Sequence, residues 1–109
     1  MAKTSITAGR DAVRGFAPKL VELTEQVAYA DIWERPGLSK RDRSLITLAS
    51  LVSLGRERQI RSHTARALAN GVTRDEIVEV MTHLAIYAGW PAALTGAAIA
   101  REVCEEEEE

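Results

Sequence analysis

Aromatic residues are scarce in this sequence, at 5% of 109 residues, and alanine and leucine dominate its apolar set. Strands draw on aromatic and β-branched side chains, so this composition favours closely packed helices over a sheet. Cysteine occurs once, as Cys104, which excludes an internal disulfide, a CxxC redox pair and a cysteine-built zinc site. No run reaches the roughly 20 apolar residues that a bilayer requires. The longest weakly polar stretch, Leu84 to Ala100, is interrupted by Gly89 and Pro91. Met1 to Arg10 lacks the apolar core of a signal peptide, which points to the cytoplasm and to no membrane partner. No dense basic stripe with interleaved aromatics is present, so nucleic acid is not an expected partner.

What is there belongs to an ordinary globular protein, with 46% hydrophobic and 28% charged residues in a length that suits one domain. The formal charge of −2 hides an asymmetry. Glu105 to Glu109 end the sequence, and the remainder, with fourteen basic and eleven acidic residues, carries +3. These glutamates read as a solvated, disordered tail over 105–109, and residues 1–10 as a flexible arm, with a helical domain over 11–104 between them.

Helix punctuation is legible along that domain. Phe16, Leu20, Leu23, Val27 and Ala30 recur at helical spacing and predict a first helix from about Asp11 to Ile32. Pro36 and Gly37 then break the chain. Ser39 caps a second helix, with Asp42 at the reciprocal position of a capping box, and Gly55 stops it. A third helix runs from about Glu57 to Ala69 and closes at Asn70-Gly71. Thr73 and Glu76 form a second capping box that opens a helix ending near Gly89, and Pro91 starts a fifth towards Val103. The expected fold is therefore an all-α, single-domain bundle of about five helices. Several of these helices are apolar around more than one stripe, as at Leu45 and Ile46 or at Ile77, Val78, Val80 and Met81. A domain this small has little interior to cover them, so homo-oligomerisation through helix faces is expected.

The blocks from Trp33 to Ala49, His63 to Thr73, Glu76 to Glu79 and Ala85 to Ala93 resemble, in order and spacing, the core of the carboxymuconolactone decarboxylase family. The likeness covers about residues 15 to 103. It implies an all-helical protomer assembled as a trimer or hexamer. The peroxidase-accessory branch of that family uses a CxxC pair before its histidine. Here Arg56 and Gln59 stand seven and four residues before His63, so no thiolate nucleophile is in reach. The decarboxylase branch implies a cofactor-free lyase with no metal, acting on 4-carboxymuconolactone or a similar small lactone acid in aromatic catabolism.

Such a reaction builds an enolate over the ring and then protonates a ring carbon, so it needs cations for the carboxylates and one acid near the carbon. The resemblance assigns the acid to His63, with Gln59 one turn earlier orienting the imidazole. Glutamine at that position cannot raise the histidine's pKa as a carboxylate would. Arg41 and Arg43, at a helix start, are candidates for holding substrate carboxylates, or equally for ion pairs. His83 and Tyr87, four apart, are candidates for one pocket wall. Two other readings stay open: a relative with a different carbonyl-acid substrate, and a non-catalytic or engineered oligomeric scaffold of the same fold.

Overall fold

The computed structural model describes residues 3–108, and all its regular elements are helical among these residues. Four long helices form the body: α3 (Lys40–Leu54), α4 (Glu57–Ala69), α5 (Arg74–Tyr87) and α6 (Trp90–Glu108). Before them come two short helices, α1 (Ala8–Asp11) and α2 (Pro18–Leu23), a π-helical stretch (Thr24–Tyr29) and a 3-10 turn (Ile32–Glu34).

The expected stops act as the residue chemistry requires. Ser39 Oγ accepts the Asp42 N–H at 3.0 Å, but the Asp42 carboxylate turns to Arg41 at 3.5 Å, so this cap works in one direction only. Thr73 and Glu76 make both bonds of their capping box. Gly55 ends α3 at φ +70°, in the left-handed region that a glycine enters without a Cβ penalty. α6 lies against α4, α5 and α3, around a core of Leu48, Val52, Ile60, Ile77, Met81 and Ala100. At its closest approach there is room only for hydrogen. A Cβ on Gly96 would sit 2.9 Å from Met81 Sδ and 3.0 Å from Val52 Cγ2.

Two expectations need correction. The first segment is not one helix from Asp11 to Ile32. Gly15 takes φ +84°, Ala17 before Pro18 leaves the helical region, and beyond Leu23 the coil widens to π geometry. Its apolar stripe is not packed on the body either. Phe16 is 89% exposed and Leu20 58%. The second correction concerns the terminal glutamates. Over Glu105–Glu108 they are the last turn of α6, not a disordered tail. Arg101 holds Glu105, Arg74 holds Glu108 and Lys3 approaches Glu107 at 3.6 Å, while Glu106 is buried. Opposite charges from α6 itself, from α5 and from the segment before α1 offset the repulsion that a run of like charges suggests. Glu109 lies outside the described residues, as do Met1 and Ala2 of the expected arm. The rest of that arm is tied down: Thr4 donates its backbone N–H (3.0 Å) and its hydroxyl (2.6 Å) to Glu106 Oε1. No helix among the described residues is long and apolar enough to cross a membrane.

Candidate active site

α4 presents Gln59, His63 and Arg66 at i, i+4 and i+7, a spacing that puts them along one face. The widened end of the π-helical stretch and the 3-10 turn bring Tyr29 and Trp33 opposite that face. Trp33 stacks on His63 with centroids 6.2 Å apart, and Tyr29 stacks on Trp33 at 5.7 Å. Arg66 lays its guanidinium 4.1 Å from the Tyr29 centroid and 5.6 Å from that of Trp33. Arg10, from α1, approaches the same tyrosine at 4.4 Å. The result is a wall of two aromatic rings, two guanidiniums and one imidazole. π-Helical turns recur at functional sites because they re-aim side chains that a regular helix would stagger.

Electrostatics at this wall are unbalanced. Arg10 has a carboxylate partner in Glu25 at 3.6 Å, whereas Arg66 forms no ion pair among the described residues; its Nη2 donates to the Ile6 carbonyl at 3.0 Å. Burial pushes the half-buried His63 imidazole down to about 4, and the positive charge of Arg66 adds to the shift. His63 is therefore neutral at pH 7. Its Nδ1 and the Arg66 Nε are both buried without a hydrogen-bond partner. Each such atom costs about 1–3 kcal/mol in a folded chain, and clustered orphans of this kind call for a functional explanation.

The structure distributes the other expected residues more widely. Gln59 is exposed, and with Nδ1 of His63 unpartnered the expected Gln59–imidazole bond is not formed. Arg41 spends its guanidinium on Glu76, joining α3 to the start of α5. Arg43 donates to the Arg35 carbonyl at 3.1 Å, next to the Trp33 turn, and its Nε is a third buried orphan. His83 and Tyr87 stack on each other at 4.9 Å, on the exposed side of α5. His83 borders a shallow α3–α5 depression of about 550 Å³ that does not include His63. Arg66, Arg10, Tyr29 and Trp33 escaped the sequence reading as site residues. Three come from outside α4, and only the i+3 spacing of Arg66 from His63 was visible in advance.

Fold and site together define a class: an all-helical protein with a histidine–arginine–aromatic cluster and no thiol beside it. The carboxymuconolactone decarboxylase family profile matches residues 18–102, and the chain belongs to this family. It is 45% identical over 76 residues to the 4-carboxymuconolactone decarboxylase of Acinetobacter baylyi, covering 70% of this chain and 57% of that protein. It is 38% identical over 73 residues to a nitrosuccinic acid decarboxylase of Metarhizium robertsii, covering 67% and 51%. An uncharacterized 15.0 kDa protein of Paracoccus denitrificans is 32% identical over 83 residues, covering 74% of this chain and 62% of that one. The chain thus spans between about half and three fifths of the length of the curated relatives it matches.

Proposed function

We propose that this chain carries out the cofactor-free decarboxylation of 4-carboxymuconolactone or a similar small lactone acid in aromatic catabolism, working in the cytoplasm as a homo-oligomer of three or six copies. The observation that carries the reading is the pair of orphaned nitrogens on His63 and Arg66, side by side on one helix and walled by Tyr29 and Trp33. Two relatives whose names both denote loss of CO2 from a small acid support the same chemistry.

In this proposal Arg66 takes a substrate carboxylate, and Arg43 is the candidate for a second. The arriving negative charge cancels the repulsion between Arg66 and His63 and raises the imidazole's pKa, so a proton enters with the substrate. The bond between ring carbon and carboxylate breaks, CO2 leaves, and its electron pair spreads over the lactone as an enolate facing the guanidinium. The His63 imidazolium then gives its proton to the ring carbon and returns to its neutral form. His63 keeps the role of acid expected from the sequence, but it must be charged by the substrate first.

Incubation with 4-carboxymuconolactone, following CO2 release, tests the proposal. Turnover is expected, with His63→Gln lowering kcat by about 10² to 10⁴ and Arg66→Met raising KM. Absence of turnover at any pH between 5 and 8 would overturn the enzyme reading and favour the scaffold.

A further inference from the structure

A ring that must hand a proton to one chosen carbon has to be held in a fixed plane. A catalytic histidine is commonly held by a hydrogen bond from the nitrogen not in use to a carbonyl or carboxylate. His63 has no such bond among the described residues: its Nδ1 is buried and unpartnered, and Gln59, one turn earlier, is exposed. What the imidazole does have is the indole of Trp33, stacked on it at 6.2 Å with 28° between the ring planes.

That indole stands on a braced piece of backbone. The 3-10 turn Ile32–Glu34 is closed by the Glu34 N–H on the Asp31 carbonyl (3.1 Å) and the Arg35 N–H on the Ile32 carbonyl (3.2 Å). Pro36 keeps Arg35 extended, at φ −66° and ψ 138°, and the Arg35 carbonyl accepts from Arg43 of α3 at 3.1 Å. Lys40, at the start of α3, pairs with Glu34 at 2.9 Å. On the ring side, Tyr29 stacks on the indole at 5.7 Å and 24°, and the Arg66 guanidinium lies 5.6 Å from its centroid. The indole is thus held from α3 through the backbone and from Tyr29 and Arg66 through its ring, while the imidazole that it faces comes from α4.

We propose that Trp33 is the positioning residue for His63 in the decarboxylation proposed above, its indole face setting the plane of the imidazole in place of the hydrogen bond that Nδ1 lacks. The role rests on that reading of the site. Stacking suits an acid that is charged only when substrate arrives. A carboxylate on Nδ1 would favour the imidazolium in the free site as well, whereas the weaker pull of a π face leaves burial dominant there and still attracts the ring once it is charged. Trp33 acts through the imidazole by fixing where the proton is aimed, and a misplacement of about 1 Å can cost on the order of 10² in rate.

Kinetics and proton NMR on the full chain test the role together. Trp33 is half-buried on a turn outside the core of Leu48, Val52 and Ile60, so Trp33→Leu and Trp33→Phe are both expected to fold, with urea midpoints close to one another. At pH 7, Trp33→Leu is expected to lower kcat about 10- to 100-fold with KM within about twofold, because the carboxylates are held by the arginines. Trp33→Phe, which restores an aromatic face, is expected to recover most of that kcat. The chain has two histidines, so the His63 imidazole C–H resonances are assigned by their loss in His63→Gln. The indole ring current is expected to shift them, and Trp33→Leu to abolish the shift while the resonances of His83, stacked on Tyr87, stay in place. If the parent chain turns over no 4-carboxymuconolactone, the decarboxylase reading fails and the role of Trp33 falls with it. If the parent does turn over, the proposal alone is overturned by a parental kcat in Trp33→Leu, by a loss that appears in KM instead, by Trp33→Phe as impaired as Trp33→Leu, or by His63 resonances that do not move when the indole is removed.

Discussion

His63 concentrates the chemistry at the scale of a single residue, and its depressed pKa makes two outcomes measurable. Burial, then the charge of Arg66, hold the imidazole at about 4 against 6.5 in an unfolded chain. Between these values the unfolded state binds more protons, so this contribution lowers stability as pH falls from 6.5 towards 4. At pH 4.5 the loss attributable to His63 is about 2–3 kcal/mol relative to pH 7. Urea unfolding of the parent and of His63→Gln at both pH values isolates it: the variant escapes that part of the acid loss. Catalysis runs with the opposite sign. If the productive complex holds an imidazolium, kcat/KM reports the free residue and falls about tenfold per unit as pH rises above 4, while kcat holds to higher pH. A flat kcat/KM between pH 5 and 8 would remove His63 as the acid. Gln59→Glu places a carboxylate one turn away, which favours the charged ring and moves the fall in kcat/KM upward in pH.

At the scale of elements, local chemistry determined what was legible. Ser39, Gly55, Thr73 with Glu76, and Gly89 terminate helices through backbone geometry and capping bonds that involve only near neighbours, so α3 to α5 follow directly from the sequence. The segment from Phe16 to Val27 is less legible, because periodicity at Phe16, Leu20, Leu23 and Val27 reports an apolar edge without saying whether the chain's own body covers it. Gly15 and Pro18, inside the helix expected from Asp11 to Ile32, are the residues that break it. Close helix crossing is likewise invisible in sequence. Gly96 looks like a weak spot in α6, yet it is where the helix meets Val52 and Met81. Gly96→Ala gains about 1 kcal/mol of helix propensity, but overpacking against the stiff Val52 costs about 1–3 kcal/mol. A net loss of about 1 kcal/mol in denaturant unfolding is expected; a stabilised variant would show that the crossing relaxes freely.

Across the whole molecule, the segment around Thr4 meets the end of α6 and then leads to the site. Glu106, three residues past the helix end expected at Val103, accepts from Thr4 and pairs with Arg61 at 3.0 Å, while Arg61 also holds Glu102. From Thr4 the arm continues to Ile6, whose carbonyl takes Arg66, and to Arg10, which lies against Tyr29. Long-range ties of this kind explain why the surroundings of His63 are not legible in the sequence: the cluster is assembled by partners up to 60 residues apart, with no local spacing to betray them. The Thr4 hydroxyl, chiefly, and Arg61 hold the Glu106 carboxyl below its ordinary value, although burial opposes them. The clasp therefore operates above the ordinary glutamate pKa and is lost as pH falls through the lowered one. Glu106→Ala opens it at neutral pH. Faster amide hydrogen exchange is expected over residues 4–12 than in the parent, with α3 to α5 unchanged, since the arm loses its anchor while the body keeps its core. Once Ile6 releases the guanidinium, Arg66 no longer holds one orientation, so KM for the lactone acid should rise several-fold with kcat less affected. Unchanged exchange in the arm together with an unchanged KM would mean that the acidic end of α6 merely shields charge and has no part in shaping the site.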